Sequence, residues 1–241
     1  MIPGMILAAG RGERMRPLTD RVPKPLLEVG GRTLIAWQLE ALVRGGVTQI
    51  VINTAHLGEQ IPQALGDGEA WGAQLRYSPE PPGALETAGG IATAQPWRSA
   101  VKSGPLFALA NADVYSDLNW AALVQACQSD WPDGARAVLV VVPNPVHHPR
   151  GDFVLQSEGL IRLLLLPETP GPEAAGPVTY AGLGVFHRDL FADCPPGQRA
   201  ALGPLLREAA AKGSLWGWLH QGVWVDVGTP ERLAALDARL K

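Results

Sequence analysis

The residues able to do chemistry cluster first at the amino terminus, where Leu7 to Pro17 reads LAAGRGERMRP and Pro23-Lys24-Pro25 follows. The run Ile2 to Ala9 is short, apolar and ends in small residues, which predicts a buried first strand opening into a tight turn. Gly10 and Gly12 free that turn for positive φ and for close approach, and its exposed N–H groups favour anionic oxygen. Ala9, Gly10, Arg11, Gly12, Glu13 and Arg14 therefore form the candidate nucleotide-binding turn. Arg11, Arg14, Arg16 and Lys24 add countercharge, with Lys24 expected to be exposed. This combination suits a nucleoside triphosphate held for attack. The turn is neither GxGxxG, because position 15 is Met, nor a P-loop, because no GK[ST] follows at the required distance.

Two acids complete the chemistry. Asn111-Ala112-Asp113 follows an apolar run, and Asp226-Val227-Gly228-Thr229 follows Trp224-Val225. In an open α/β sheet ligands collect at the carboxyl ends of strands, and two carboxylates with phosphate oxygens form a usual donor set for Mg²⁺. Asp113 and Asp226 are the candidate metal ligands. Taken singly, Asp113 is also a fitting turn residue and Asp226 a fitting cap for the helix that begins near Pro230. Asn53 and His56, after the second strand, suit either a nucleotide contact or capping of the following turn.

The elements that must position these groups follow from periodicity. Strands are predicted at Gly4 to Ala8, Gln49 to Asn53, Gln74 to Ser78, Leu106 to Asn111, Ala137 to Val142, Val178 to Phe186 and Val223 to Val225. Helices are predicted at Thr33 to Arg44, Leu57 to Leu65, Leu118 to Gln128, Pro204 to Lys212 and Pro230 to Leu240, the last with Thr229 as N-cap. Gly151 to Leu166 reads as a hairpin and Pro167 to Pro177 as a loop. The alternation predicts an α/β fold: a Rossmann-like, doubly wound, mostly parallel (mixed) sheet with helices on both faces, a three-layer sandwich.

Composition bounds the partners. The 241 residues are 46% hydrophobic and 18% charged with a net charge of −3, enough for one large core and against a general nucleic-acid or membrane-surface binder. One domain over residues 1–241 is expected, with a nucleotide-binding half to about residue 115 and a second half beyond it. Cys127 and Cys194 form no CxxC pattern, and no run is apolar enough for a signal core or a membrane span, so a soluble, cytoplasmic protein is expected. Trp37, Trp120 and Trp224 fall in apolar runs and read as packing residues.

The string Leu7 to Pro25 resembles the sugar-phosphate nucleotidyltransferase family, whose signature is LAAGxGxRMxPLT followed by PKP. The similarity extends through Leu85 to Ile91, Asn111 to Asp113 and Trp224 to Glu231. It implies a Mg²⁺-dependent enzyme in which Lys24 meets the α-phosphate, Arg14 grips the departing pyrophosphate, and Asp113 and Asp226 hold the metal. It places nucleobase contacts at Leu85 to Ile91, including Glu86, Gly89 and Gly90, with Asn111 facing both substrates. Ala88 interrupts a glycine triplet usual in the family and Ala112 replaces a usual glycine, so altered fit is expected there.

Asn144 to Phe153, with Tyr180-Ala181-Gly182 and Trp224 to Thr229, resembles one subgroup, the N-acetylmuramate α-1-phosphate uridylyltransferases of bacterial cell-wall recycling. The resemblance implies UTP and N-acetylmuramate α-1-phosphate as substrates, with Gly151 and Glu168 among the sugar contacts. Many relatives carry a Glu-Lys-Pro lysine that binds the sugar phosphate; Thr169 stands in its place, leaving Arg150 or Arg162 as substitutes. His147 and His148 are assigned no metal. A monomer is expected, because the chain ends soon after its last helix. Rival readings are a thymidylyl- or guanylyltransferase acting on a hexose 1-phosphate and a non-catalytic sugar-nucleotide sensor.

Overall fold

The computed structural model describes residues 2–81, 83–96, 104–156, 159–168 and 174–241. Its strands are β1 (Gly4–Leu7), β2 (Glu28–Val29), β3 (Arg32–Thr33), β4 (Gln49–Thr54), β5 (Gln74–Pro79), β6 (Leu106–Asn111), β7 (Val114–Ser116), β8 (Ala137–Pro143), β9 (Phe153–Gln156), β10 (Ile161–Leu165), β11 (Ala174–His187), β12 (Leu215–Leu219) and β13 (Trp224–Asp226). The helices are α1 (Leu34–Arg44), α2 (Gln60–Leu65), α3 (Glu86–Ala94), α4 (Trp120–Ser129), α5 (Leu202–Ala211) and α6 (Pro230–Leu240).

Nine strands make one mixed sheet in the order β5-β4-β1-β6-β11-β8-β12-β10-β9. The first four run parallel, and β11 lies antiparallel between β6 and β8. Because β1 has β4 on one side and β6 on the other, its carboxyl end is the topological switch point where such sheets take a ligand.

Period-two alternation sends side chains to the two faces. Ile6, Ile50, Ile52, Ala108 and Ala110 pack in one core with residues of α1, α2 and α4. Met5, Val51, Phe107 and Leu109 pack in the other with α3 and α5. Phe107 stacks on Phe186 with ring centroids 5.9 Å apart, and truncating such a side chain to Ala costs about 3–5 kcal/mol.

A third, smaller cluster of Met15, Leu27, Val29, Leu34, Val227 and Leu236 seats α6 on the amino-terminal loop. Trp37 Nε1 donates to the Val29 carbonyl at 3.0 Å, and Asp237 accepts the Gly30 N–H at 2.9 Å. Thr229 caps α6 as its sequence predicts, its side chain accepting from the Arg232 N–H.

The predicted sandwich is found, with informative departures. The antiparallel β9–β10 hairpin forms, but β11 begins at Ala174, so the predicted loop is strand in its last part, paired with β9. Thr169, Pro170 and positions 171–173 lie outside the described residues. The helix expected from Leu57 starts only at Gln60, because Leu57 takes φ 50°. The two-stranded pairing of β7 with β13 is too short to betray itself by alternation. Gly217 disguises β12, where a Cβ would stand 3.0 Å from the side chains of Leu155 and Leu164. Among the described residues no helix is long and apolar enough to cross a membrane.

Candidate active site

The turn after β1 is built around Gly12, whose φ of 65° is one that L side chains rarely adopt. A Cβ there would also stand 3.0 Å from Lys24 Cβ, so glycine lets the Pro23-Lys24-Pro25 segment close onto the turn. Thr19 Oγ1 donates to the Gly12 carbonyl at 2.9 Å and fixes the approach. Gly10 does not take positive φ, contrary to expectation; it opens onto a cavity, with nothing within 4 Å of a would-be Cβ.

Lys24 is buried, at 8% exposure, where an exposed side chain is expected from sequence. Its stem packs against Gly12 and its Nζ donates to Asp113 Oδ2 at 2.5 Å. A buried ammonium needs such a partner, since desolvation without one is costly.

The two acids are brought together by backbone pairing. Asp226 sits opposite Val114 in the β7–β13 ladder, and the Val227 N–H donates to the Asp113 carbonyl at 2.9 Å. Asp226 Oδ2 accepts from Arg232 Nη1 at 2.8 Å. Gly228 leaves room for three charged groups: a Cβ there would stand 3.0 Å from Arg14 Nη2 and 3.2 Å from both Arg232 Nη1 and Asp226 Oδ2. The exposed His147 is held below the usual imidazole range by partial desolvation and then by the Arg232 guanidinium, with Asp226 pulling the other way.

Two cavities meet along this edge of the sheet. The smaller, of about 260 Å³, is bounded by the Ala8, Ala9 and Gly10 turn, Lys24, Asn53, Glu80 and Asp113. The larger, of about 830 Å³, is bounded by Arg150, Gly151, Phe153, Glu168, Tyr180 and Arg207. Glu86, Thr87 and Asn111 belong to both walls.

Of the sequence-derived site residues, Ala9, Gly10, Lys24, Glu86, Asn111 and Asp113 thus line the smaller cavity, and Asn111, Gly151 and Glu168 the larger. Arg11 and Glu13 lie outside both linings, Arg11 being 3.1 Å from His56 Nδ1 and 4.0 Å from the Glu13 carboxylate. Gly89 and Gly90 also lie outside them: a Cβ on Gly89 would collide with the Gln198 carbonyl, and one on Gly90 with Glu80. Ala88 and Ala112 are buried in the two cores. Asn53 and His56 brace the β1 turn rather than their own: Asn53 Oδ1 accepts the Ala8 N–H at 2.8 Å, and His56 Nε2 bonds the Thr19 carbonyl at 2.8 Å.

One residue beside the acids carries no sequence signal for the place it occupies. Arg232 lies on the first turn of α6 beside Asp226. Tyr180 has its N–H bonded to Asp152 Oδ2, while its buried hydroxyl has no hydrogen-bond partner among the described residues. Burial and then the Asp152 charge push that phenol well above its ordinary range. Glu168 is paired with Arg207 at 2.8 Å, which lowers its carboxyl below the usual range. Arg162 points elsewhere, donating to the Gly159 carbonyl.

The fold is a Rossmann-like α/β sandwich with its cavities at the switch point, and the chain belongs to the Nucleotidyl transferase family, which it matches over residues 3–241. It is 46% identical over 234 residues to the N-acetylmuramate alpha-1-phosphate uridylyltransferase of Neisseria meningitidis serogroup B, covering 97% of this chain and 96% of the relative. It is 34% identical over 242 residues to the protein of the same name from Caulobacter vibrioides, covering 98% and 96%. A Bacillus anthracis crystal structure described as a glucose-1-phosphate thymidylyltransferase in complex with sucrose shares the fold, with a TM-score of 0.80 at 19% identity over 100% of this chain and 95% of that one.

Proposed function

We propose that this chain transfers the uridylyl group of UTP to N-acetylmuramate α-1-phosphate, giving UDP-N-acetylmuramate and pyrophosphate. One observation carries this reading: two cavities share Glu86, Thr87 and Asn111 beside the Lys24–Asp113 pair, so a nucleotide in the smaller and a sugar phosphate in the larger meet at one wall. The two relatives of that name, each matched over nearly its whole length, support this choice of base and sugar.

The sugar phosphate is already an oxygen nucleophile, so no residue needs to remove a proton from it. Its oxygen bonds to the α-phosphorus of UTP as the bond from that phosphorus to the bridging oxygen breaks and pyrophosphate leaves. The obstacle is repulsion and misalignment of two anions, which fixed positive charge relieves. Lys24, fixed by its packing on Gly12, stands at the cavity wall for the α-phosphate. Arg14, beside Gly228 and Arg232, adds charge for the departing pyrophosphate.

Asp113 and Asp226 suit Mg²⁺ as hard oxygen donors whose backbones are held side by side, and with Oδ2 of each engaged by Lys24 or Arg232, Oδ1 would be the oxygen offered to the ion. Among the described residues no third His, Cys, Asp or Glu joins them, so phosphate and water oxygens would complete the shell. Bound there, the ion would neutralise phosphate charge and template the in-line geometry. In the larger cavity Arg150 takes the place of the sugar-phosphate lysine that many relatives carry. Use of UTP places the reaction in the cytoplasm, and we take the enzyme to act as a monomer.

A pyrophosphate-release assay with UTP, dTTP and GTP against N-acetylmuramate, N-acetylglucosamine and glucose 1-phosphates tests the reading. Turnover is expected only with UTP and the muramate. Turnover confined to dTTP or GTP with a hexose phosphate would replace it, and no turnover with any pair would favour a sensor.

A further inference from the structure

Three polar links run from the β1 turn toward the far wall of the larger cavity. The Ala8 N–H donates to Asn53 Oδ1 at 2.8 Å, and Asn53 Nδ2 donates to Glu80 Oε1 at 2.7 Å. Glu80 Oε2 then accepts the Leu85 N–H at 2.8 Å. Beyond it, the Leu85 carbonyl accepts from the Ala200 N–H and the Ala200 carbonyl from the Gly89 N–H, each at 3.0 Å. Ala201 and Leu202, next along the chain, line the larger cavity.

Leu85 is an unusual point to anchor. Its neighbours Ala84 and Glu86 take φ of 52° and 58°, conformations that cost L residues free energy and persist only where surroundings enforce them. Glu80 is the group that holds the amide between them. Gly90 makes the arrangement possible, since any Cβ there would occupy the space of the Glu80 carboxylate. The glycine that resemblance assigns to nucleotide contact thus also makes room for the relay.

We propose that Glu80 is a positioning residue: through Leu85 it fixes the loop bearing Glu86 and Thr87, and through Asn53 it fixes the phosphate-facing turn at Ala8. Nucleotide ordering one end of the relay therefore orders the other, and the Leu85–Ala200 bond carries the constraint to the sugar cavity. This rests on the proposed uridylyl transfer for its substrates but not for its hydrogen bonds.

The polarity of the relay permits a sharp test. Both Glu80 oxygens accept, so Glu80→Gln must leave one donor facing the new amide N–H₂, whichever way that amide turns. Turning Asn53 to compensate would break its bond from Ala8. The double variant Glu80→Gln with Asn53→Asp restores every link. The carboxylate introduced at position 53 would accept from both the Ala8 N–H and the amide N–H₂ introduced at position 80, while the oxygen of that amide accepts from Leu85.

Glu80→Gln is expected to raise KM for UTP about tenfold, with kcat changed less than about threefold, and to speed amide hydrogen exchange at Leu85 in the free protein about tenfold. The double variant should bring both back to within about threefold of wild type. A single variant with unchanged KM and unchanged Leu85 exchange, or a double variant no better than the single, would overturn the inference. Exchange is read without substrate, so it judges the relay even if the wild-type enzyme prefers another nucleotide, an outcome that would instead overturn the choice of UTP.

Discussion

Asp226 lies across the β7–β13 ladder from Val114, one residue from Asp113, and the Val227 N–H closes the pair through the Asp113 carbonyl at 2.9 Å. Two short strands thus make neighbours of acids from opposite halves of the chain. Asp113→Asn and Asp226→Asn should each raise the Mg²⁺ concentration for half-maximal activity at least about tenfold, since each removes an anionic donor of a two-carboxylate set. Titrating Mg²⁺ against initial rate checks this. An unchanged curve removes that acid from the metal site.

Lys24 combines burial with a 2.5 Å contact to Asp113, so its replacement has both a kinetic and a structural consequence. Lys24→Met keeps the stem that packs on Gly12 and deletes the charge. Turnover should fall about 10²- to 10³-fold through lost transition-state stabilisation. Stability should drop by about 1–3 kcal/mol, because Asp113 loses its counterion while remaining partly solvated. Steady-state kinetics with thermal melts separate the effects, and near-normal kcat would place the α-phosphate elsewhere.

How much of this site is legible in the sequence depends on the kind of information each residue needs. The β1 turn, Lys24 and the two acids announce themselves because residue type and position after an apolar run suffice. Burial of Lys24 does not, since it comes from Gly12 in space rather than from neighbours in the chain. Gly89 and Gly90 are singled out in the sequence for nucleobase contact, whereas the protein atoms crowding them belong to Gln198 and Glu80, which no local pattern reveals. Only the start of β11 is hidden, since Val178 to Phe186 reads as strand while the preceding residues fall in a Pro- and Gly-containing stretch where pairing with β9 overrides local preference.

Glu168 gives a pH prediction. Arg207 donates to its carboxylate, so the folded pKa lies below the unfolded value. The contribution to stability is therefore present above the ordinary carboxylate range and lost as pH falls through it toward the folded value. Both side chains are largely solvated, so the effect on global stability should be slight. Arg207→Met should move the Glu168 titration upward toward the ordinary value, as read by carboxyl NMR. An unmoved midpoint would show that Arg207 is not its cause.

In the larger cavity Arg150 and the Tyr180 hydroxyl, like the Thr87 and Asn111 side chains, have no hydrogen-bond or ion-pair partner among the described residues, whereas Asp152, Glu168 and Glu86 are each engaged, with His148, Arg207 and Arg199 respectively. An orphaned buried hydroxyl contributes nothing to folding, so Tyr180→Phe should leave the melting temperature unchanged or slightly raised. It should nevertheless raise KM for the sugar phosphate about fivefold, the loss of one hydrogen bond, while KM for UTP stays put. Arg150→Met should raise KM about tenfold or more for N-acetylmuramate and N-acetylglucosamine 1-phosphates alike, because the phosphate is common to both and the lactyl carboxylate is not. A loss confined to the muramate would reassign Arg150 from the phosphate to that carboxylate.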